Sequence, residues 1–221
     1  MMSNKTYYII IIISLILMTF SCTPSRVIRP LAAKEIQVGA SFGGPIINFA
    51  GAKIPVPFTS LYAAYGLDSS RSIFGGVHTT AAAAGVAQID IGLTQSLWRK
   101  KGWGLSASPV FNFMYGYKSF RFYPQLDMNV YKEYGVKKHF VYFSLSNWFV
   151  PYAKRAHEVK QPTNYIPNLV LGNTFNRPKM SYNLELRWLA PFNNNQKVVP
   201  DFNGIAKQGS LGFYIGVTKR F

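Results

Sequence analysis

From about residue 35 onward, hydrophobic and polar positions alternate with a period of two. In the last segment Leu211, Phe213, Ile215 and Val217 share one face, with Phe221 in phase, while Gly212, Tyr214, Gly216, Thr218 and Arg220 share the other. Such alternation marks a strand whose two faces meet different surroundings. It recurs in ten segments, at about 35–42, 59–67, 71–81, 86–97, 103–115, 122–132, 139–150, 165–175, 181–190 and 209–221. After residue 22 no segment carries a helical period. Most of the segments approach the 9–11 residues that a tilted strand needs to cross a bilayer. The pattern therefore predicts an all-β chain, an antiparallel up-and-down transmembrane barrel. Ten strands is the preferred count, with eight and twelve left open.

The links between segments sort into two kinds. After the second, fourth, sixth and eighth segments they are short: Asp68-Ser69-Ser70, Trp98 to Gly102, Glu133 to Lys138, and Asn176 to Lys179. After the first, seventh and ninth they are long, and after the third and fifth intermediate at most. Short turns at one end and long loops at the other are the pattern of an outer-membrane barrel whose short turns face the periplasm. An even strand count returns the C-terminus to that side.

Phasing the segments separates two sets. The lipid-facing set includes Ile36, Val38, Ala40 and Phe42; Leu61, Ala63 and Tyr65; Ile89, Ile91 and Leu93; Tyr182, Leu184, Leu186 and Trp188. The inward set includes Gln37, Gly39 and Ser41; Gln88, Asp90, Gly92, Thr94 and Ser96; Gln125, Asp127 and Asn129; Asn183, Glu185 and Arg187. The seventh and eighth segments are mixed and give no clear phase. Trp98 and Trp103 flank the Arg99-Lys100-Lys101 turn as an interfacial aromatic belt would, with Tyr115, Tyr117, Phe120 and Phe122 as its counterpart. A soluble barrel or sandwich would instead wet its polar faces with Lys and Glu. Here those faces are rich in Gly and Ser, which suits a narrow lumen.

The beginning of the chain changes the compartment. MMSNKTYYIIIIISLILMTFSC has a polar start with Lys5, an apolar run, then Ser21 and Cys22, the layout of a secretory signal. The run from Tyr7 to Phe20 is short for a spanning helix, which needs about 20 residues. Cys22 is the only cysteine, so no intramolecular disulfide forms. The stretch Met18–Cys22 resembles a bacterial lipobox, with Thr19 where Leu is usual. That resemblance implies a signal over 1–21, a diacylglyceryl Cys22 at the mature N-terminus, a tether over 22–34 and a barrel over 35–221.

The alternating last strand ending in Phe221 resembles the C-terminal signal of bacterial outer-membrane β-barrel proteins. This implies recognition by the barrel assembly machinery and contact with outer-membrane lipids; the even strand count and the lipid anchor together place both termini, as an expectation, on the periplasmic side.

Net charge is +16, from 24 Lys and Arg against 8 Asp and Glu. The basic residues sit in turns and loops rather than along a helix or an aromatic-studded RNA motif, so no nucleic-acid partner is expected. Arg99, Lys100, Lys101, Lys132, Lys137, Lys138, Arg177 and Lys179 form a predicted cationic periplasmic rim, suited to anionic headgroups or to an acidic protein partner.

Inside, Asp90, Asp127, Glu185, Arg187 and Arg220 are expected to form a polar network that fills the lumen, because buried charges must be paired. A hairpin centred near Ala84 would set His78 directly opposite Asp90, the pairing behind many general bases, with Thr80 or Ser108 as a hydroxyl. His139 beside a turn and His157 in a basic loop have no second ligand at metal spacing, and GASFGG at 39–44 is followed by no helix. No metal and no cofactor are expected. Three functions follow in order: a non-enzymatic accessory or scaffold subunit of an outer-membrane assembly, secretion or transport complex; a lipid-modifying or hydrolytic enzyme using His78 and Asp90; and a narrow small-solute channel.

Overall fold

The computed structural model describes residues 26–49, 51–116, 118–154, 163–195 and 202–221. Its elements in order are β1 (Ile36–Phe49), β2 (Ala52–Pro55), β3 (Thr59–Gly66), β4 (Arg71–His78), α1 (Thr79–Ala83), β5 (Ala87–Lys100), β6 (Trp103–Gly116), β7 (Ser119–Tyr134), β8 (His139–Phe149), β9 (Tyr165–Asn176), β10 (Met180–Asn194) and β11 (Gln208–Arg220). Ten of these strands, all but β2, close into one antiparallel barrel in which sequence neighbours pair in turn. β11 closes on β1 from Gln37↔Arg220 to Pro45↔Gly212. Closure leaves none of the ten barrel strands with an open edge, which lipid demands because it offers no hydrogen bonds.

The ten barrel strands coincide with the ten alternating segments, but β5 and β10 run on to Lys100 and Asn194, β4 gives way to α1 after His78, and two further strands are longer than expected. β7 runs over Ser119–Tyr134 rather than 122–132. β1 runs on past residue 42 to Phe49, and β2 folds back on it from Ile46↔Pro55 to Phe49↔Ala52. Gly43, at φ 133°, carries the strand through a kink that the Gly-Gly-Pro sequence disguises as a break. The β5–β6 turn is tight, with Lys101 at φ 50° and Gly102 at φ 79°, as a two-residue hairpin between right-twisted strands requires. A register shift between Ser96 and Trp98 turns both Leu97 and Trp98 outward at the short-turn end.

The two faces are inverted relative to a soluble protein. Leu61, Ile91, Phe143, Leu171 and Leu186 are each 50–55% exposed, while Asp90, Glu185 and Arg187 are 1–3% exposed. An apolar girdle around a polar interior fits a hydrocarbon solvent. The two strands whose phase was unreadable, β8 and β9, place Phe140, Tyr142, Trp148, Ile166 and Val170 inside, so the interior is not wholly polar.

Inward glycines make room for these rings. Gly39 faces Tyr62, Gly92 faces Phe74, Gly104 faces Tyr131 and Gly172 faces Tyr142, each directly across a strand pair. A Cβ on Gly104 or Gly172 would lie 2.1 Å from the facing ring.

The stretch expected as a tether has a different place over its described residues. Residues 26–34 run down the lumen. Arg26 bonds Ser60 and Asp90 in the long-loop half; the carbonyls of Val27 and Ile28 accept from Thr94 and Ser106; Leu31 N donates to Ser72 Oγ; Lys34 N reaches Gly66 O at the short-turn end. Lys34, at φ 66°, then reverses the chain into β1. Val27 and Leu31 pack with Ala64, Phe74 and Val110, and Ile28 with Tyr131, Phe140, Tyr142 and Val170. The aromatic interior is thus the second half of a small core whose first half is this plug. Phe221 lies beside Ile36 at the short-turn end, so the described chain starts and finishes in opposite halves of the barrel.

Candidate functional site

The lumen gathers the side chains with chemical potential. In its long-loop half, His78 Nε2 lies 2.9 Å from Asp90 Oδ2, and the same carboxylate oxygen accepts from Arg26 Nη2 at 2.8 Å. All three side chains are buried, and Arg26 also stacks over Tyr62 at 5.1 Å. Arg26 Nη1 donates to Ser60 Oγ at 2.8 Å, and Ser60 is hydrogen-bonded to Ser41. The result is a continuous polar chain across β1, β3, β4 and β5 that ends on the plug.

The route by which His78 and Asp90 meet differs from the expected one. Asp90 stands opposite Gly76, and His78 pairs with Ser60 on β3. The helical turn α1 takes up the residues after His78 and moves the hairpin centre, so the two side chains meet diagonally through the space above Gly76. The suggested hydroxyls are engaged elsewhere. Thr80 Oγ1 accepts from Thr59 N at 2.8 Å, at the rim, and Ser108 Oγ pairs with Thr94 Oγ1 at 2.9 Å.

A second cluster lies across the barrel. Glu185 accepts from Tyr142 Oη at 2.6 Å and from Arg187 Nε at 2.8 Å, and Arg187 lies over the Tyr214 ring at 5.1 Å. Asp127 accepts from Gln125 Nε2 at 2.8 Å, and Gln125 in turn accepts from Asn112 at 3.0 Å. Asp90, Asp127, Glu185 and Arg187 are therefore all interior: Asp90 sits with Arg26 and His78, Glu185 with Arg187 and Tyr142, and Asp127 with Gln125. Arg220 stands apart at the short-turn mouth, where its Nη2 donates to Arg177 O at 2.7 Å.

Between plug residues 26–32 and a wall drawn chiefly from β8–β11 and β1 lies a cavity of about 320 Å³ that reaches Ser69, Lys138 and Arg220 at the short-turn end. Arg29, from the plug, reaches Glu133 at 3.0 Å, and Arg99 reaches the same oxygen at 2.8 Å. Lys132 donates to Lys101 O at 3.0 Å and lies over Trp103 at 5.1 Å. With Lys100, Lys137, Lys138, Arg177 and Lys179 in or beside the three short turns, these cations all sit at one end of the barrel.

His139 is spent on structure, since its Nδ1 accepts from Asn176 N at 2.8 Å. Cys22, His157 and Tyr117 lie outside the described residues. Among the described residues no three His, Cys, Asp or Glu side chains converge on one point. The interior residues missed in reading the sequence are Arg26 and Arg29. Their signal was present, in that RVIRPL interleaves arginines with Val27, Ile28 and Leu31, a composition unlike a solvated tether.

No family model matches this chain, and no curated protein sequence matches it. Solved structures do share its architecture. The NanC porin is similar with a TM-score of 0.47 at 10% identity, over 83% of this chain and 98% of that one. The translocator domain of the autotransporter NalP from Neisseria meningitidis gives 0.46 at 7% identity, over 99% and 97%. The outer membrane protease OmpT from Escherichia coli gives 0.39 at 9% identity, over 93% and 100%. These proteins differ in activity, and at such identity the likeness concerns the barrel and carries nothing about function.

Proposed function

We propose that this chain is a plugged outer-membrane barrel lipoprotein, lipidated at Cys22, that works as a non-enzymatic accessory or scaffold subunit of an outer-membrane assembly, secretion or transport complex. One observation carries the reading: residues 26–34 thread and obstruct the lumen, and through them Arg26 is committed to the Asp90 carboxylate that a catalytic His78 would need. A barrel built this way supplies a rigid, lipid-embedded body rather than a pathway or an open active site. Its short-turn end, facing the periplasm, offers a cationic ring of Arg99, Lys100, Lys101, Lys132, Lys137, Lys138, Arg177 and Lys179 to an acidic partner.

The test is purification in mild detergent from the native outer membrane, with a tag in the loop between β10 and β11. Copurification of a stoichiometric partner, weakened when the rim lysines are reversed to Glu, supports the subunit. Recovery of the chain alone at native abundance sinks it.

The enzyme reading retains one favourable observation, the 2.9 Å contact of His78 with Asp90. It requires that His78→Gln abolish activity in cells while the barrel still assembles. The channel reading requires current through planar bilayers. The full chain is expected to be silent, and a chain lacking residues 26–33 to conduct.

A further inference from the structure

We infer that the cavity at the short-turn mouth is a binding site for a small anion bearing phosphate or carboxylate oxygens. The site is distinct from the His78–Asp90 cluster, and the inference does not depend on the scaffold reading.

Three features point there. The first is a pair of donor atoms, Thr218 Oγ1 and Arg220 Nε, with no acceptor among the described residues. Thr218 and Arg220 lie two apart on β11, on the same inward face, and both line the cavity. Thr218 is 8% exposed, and among the described residues its Oγ1 has no hydrogen-bond partner; the Nε of Arg220 is also buried without one there. The nearest carboxylate oxygen, on Glu35, is 3.8 Å from Arg220 Nε, beyond hydrogen-bond length, and the other oxygen of Glu35 accepts from Ala32 N. Native proteins rarely leave buried donors unsatisfied, because each costs the free energy of its lost hydration.

The second is charge. Arg29 from the plug and Arg99, Lys138 and Arg220 from the wall surround this space, Arg26 there is already paired with Asp90, and Glu35 is the acidic residue among the described residues lining it. Arg29 and Arg99 share the single carboxylate of Glu133, which leaves that trio with one positive charge over. Lys138 adds another. The mouth therefore holds a net positive field inside low-dielectric walls, where attraction for an anion is least screened.

The third is size. A cavity of about 320 Å³ is at the lower end of the range that encloses small molecules, roughly 300–1,000 Å³. It admits a small organic anion or one lipid headgroup and excludes a peptide or an acyl chain. The planar guanidinium of Arg220, with Thr218 beside it, suits the oxygens of a phosphate or carboxylate.

The probe is inorganic phosphate, titrated at constant ionic strength against chloride into the full chain in a non-ionic detergent. Thermal unfolding and calorimetry provide the readouts, because a ligand that binds only the folded barrel raises its unfolding temperature. The expected result is a saturable rise specific to phosphate. Arg220→Gln should weaken it at least tenfold and Thr218→Val severalfold, while Lys137→Gln, at the tip of a short turn, leaves it unchanged. Thr218→Val removes a hydroxyl without touching a charge, so it serves even if Arg220→Gln fails to assemble. Two arms separate the sources. If phosphate still binds in vesicles of phosphatidylglycerol, the site takes free solutes. If those vesicles abolish phosphate binding and themselves stabilise the barrel in an Arg220-dependent way, it takes a headgroup. Either arm supports the site. Absence of a phosphate-specific rise, or an equal loss in Lys137→Gln and Arg220→Gln, overturns it.

Discussion

Arg26 and Asp90 are separated by 64 positions and meet as a buried ion pair at 2.8 Å inside the barrel. One belongs to the segment ahead of the first strand and the other to β5, so the pair ties the plug to the wall. Removing one partner of a buried pair strands the other, at a cost of about 3–5 kcal/mol. Arg26→Met is therefore expected to lower unfolding stability by that order. Arg26→Met combined with Asp90→Asn should cost clearly less than the two single changes together. Urea unfolding in lipid vesicles measures all four corners of the cycle, and simple additivity would show that the pair is not coupled.

The facing pair Gly92 and Phe74 makes a second prediction. A Cβ at Gly92 meets the Phe74 ring at 2.3 Å, and the backbone of β5 cannot withdraw without breaking its ladders to β4 and β6. Gly92→Ala should destabilise by about 1–3 kcal/mol, as overpacking does. Phe74→Leu in the same chain should recover part of that loss. If Phe74→Leu only adds to it, the ring is not what the new methyl meets.

On the lipid side, depth decides cost. Leu186 lies midway along β10 and Met180 at its short-turn end, and both point outward. Leu186→Arg should cost about 2–4 kcal/mol and Met180→Arg about 0–1, following the depth dependence of a charge in hydrocarbon. Equal costs at the two positions would mean that the girdle is misplaced. The readout is reversible unfolding in bilayers of defined thickness.

Asp68, in the turn between β3 and β4, makes the pH prediction. Its carboxylate accepts from Ser70 N and Oγ, and then from Arg71 N and Nε, at 2.7–2.9 Å. These bonds, those from Ser70 foremost, hold it well below the ordinary carboxylate range. Because the folded value is depressed, the turn's contribution is complete above about 3.9, the unfolded value, and is lost as pH falls through the lower folded one. A carboxyl carbon NMR titration should find Asp68 still ionised at a pH where the Glu side chain of a short reference peptide has protonated. Titration together with that peptide would show that the turn is open in solution.

The division between what was readable and what was not follows from the range of the interactions. Strand number, direction and face were legible because a pleated strand between lipid and lumen imposes a two-residue period on its own sequence, as in 210–221 and 86–97. The extension of β1 was not, since Gly43, Gly44 and Pro45 read locally as a turn and only pairing with β11 holds them extended, with β2 taking up Ile46–Phe49 beyond. The phase of β8 and β9 was hidden for another reason. Phe140, Tyr142 and Val170 face inward onto Ile28, so an apolar residue there no longer means lipid. That His78 and Asp90 share a face was visible in the sequence, but the partner they share was not. Arg26 reaches Asp90 only because residues 26–34 thread a closed barrel. The sequence alone determined the wall, whose alternation answers to a solvent boundary that every residue meets locally. What fills the wall was decided by tertiary structure, because a lumen exists only after β11 has closed on β1.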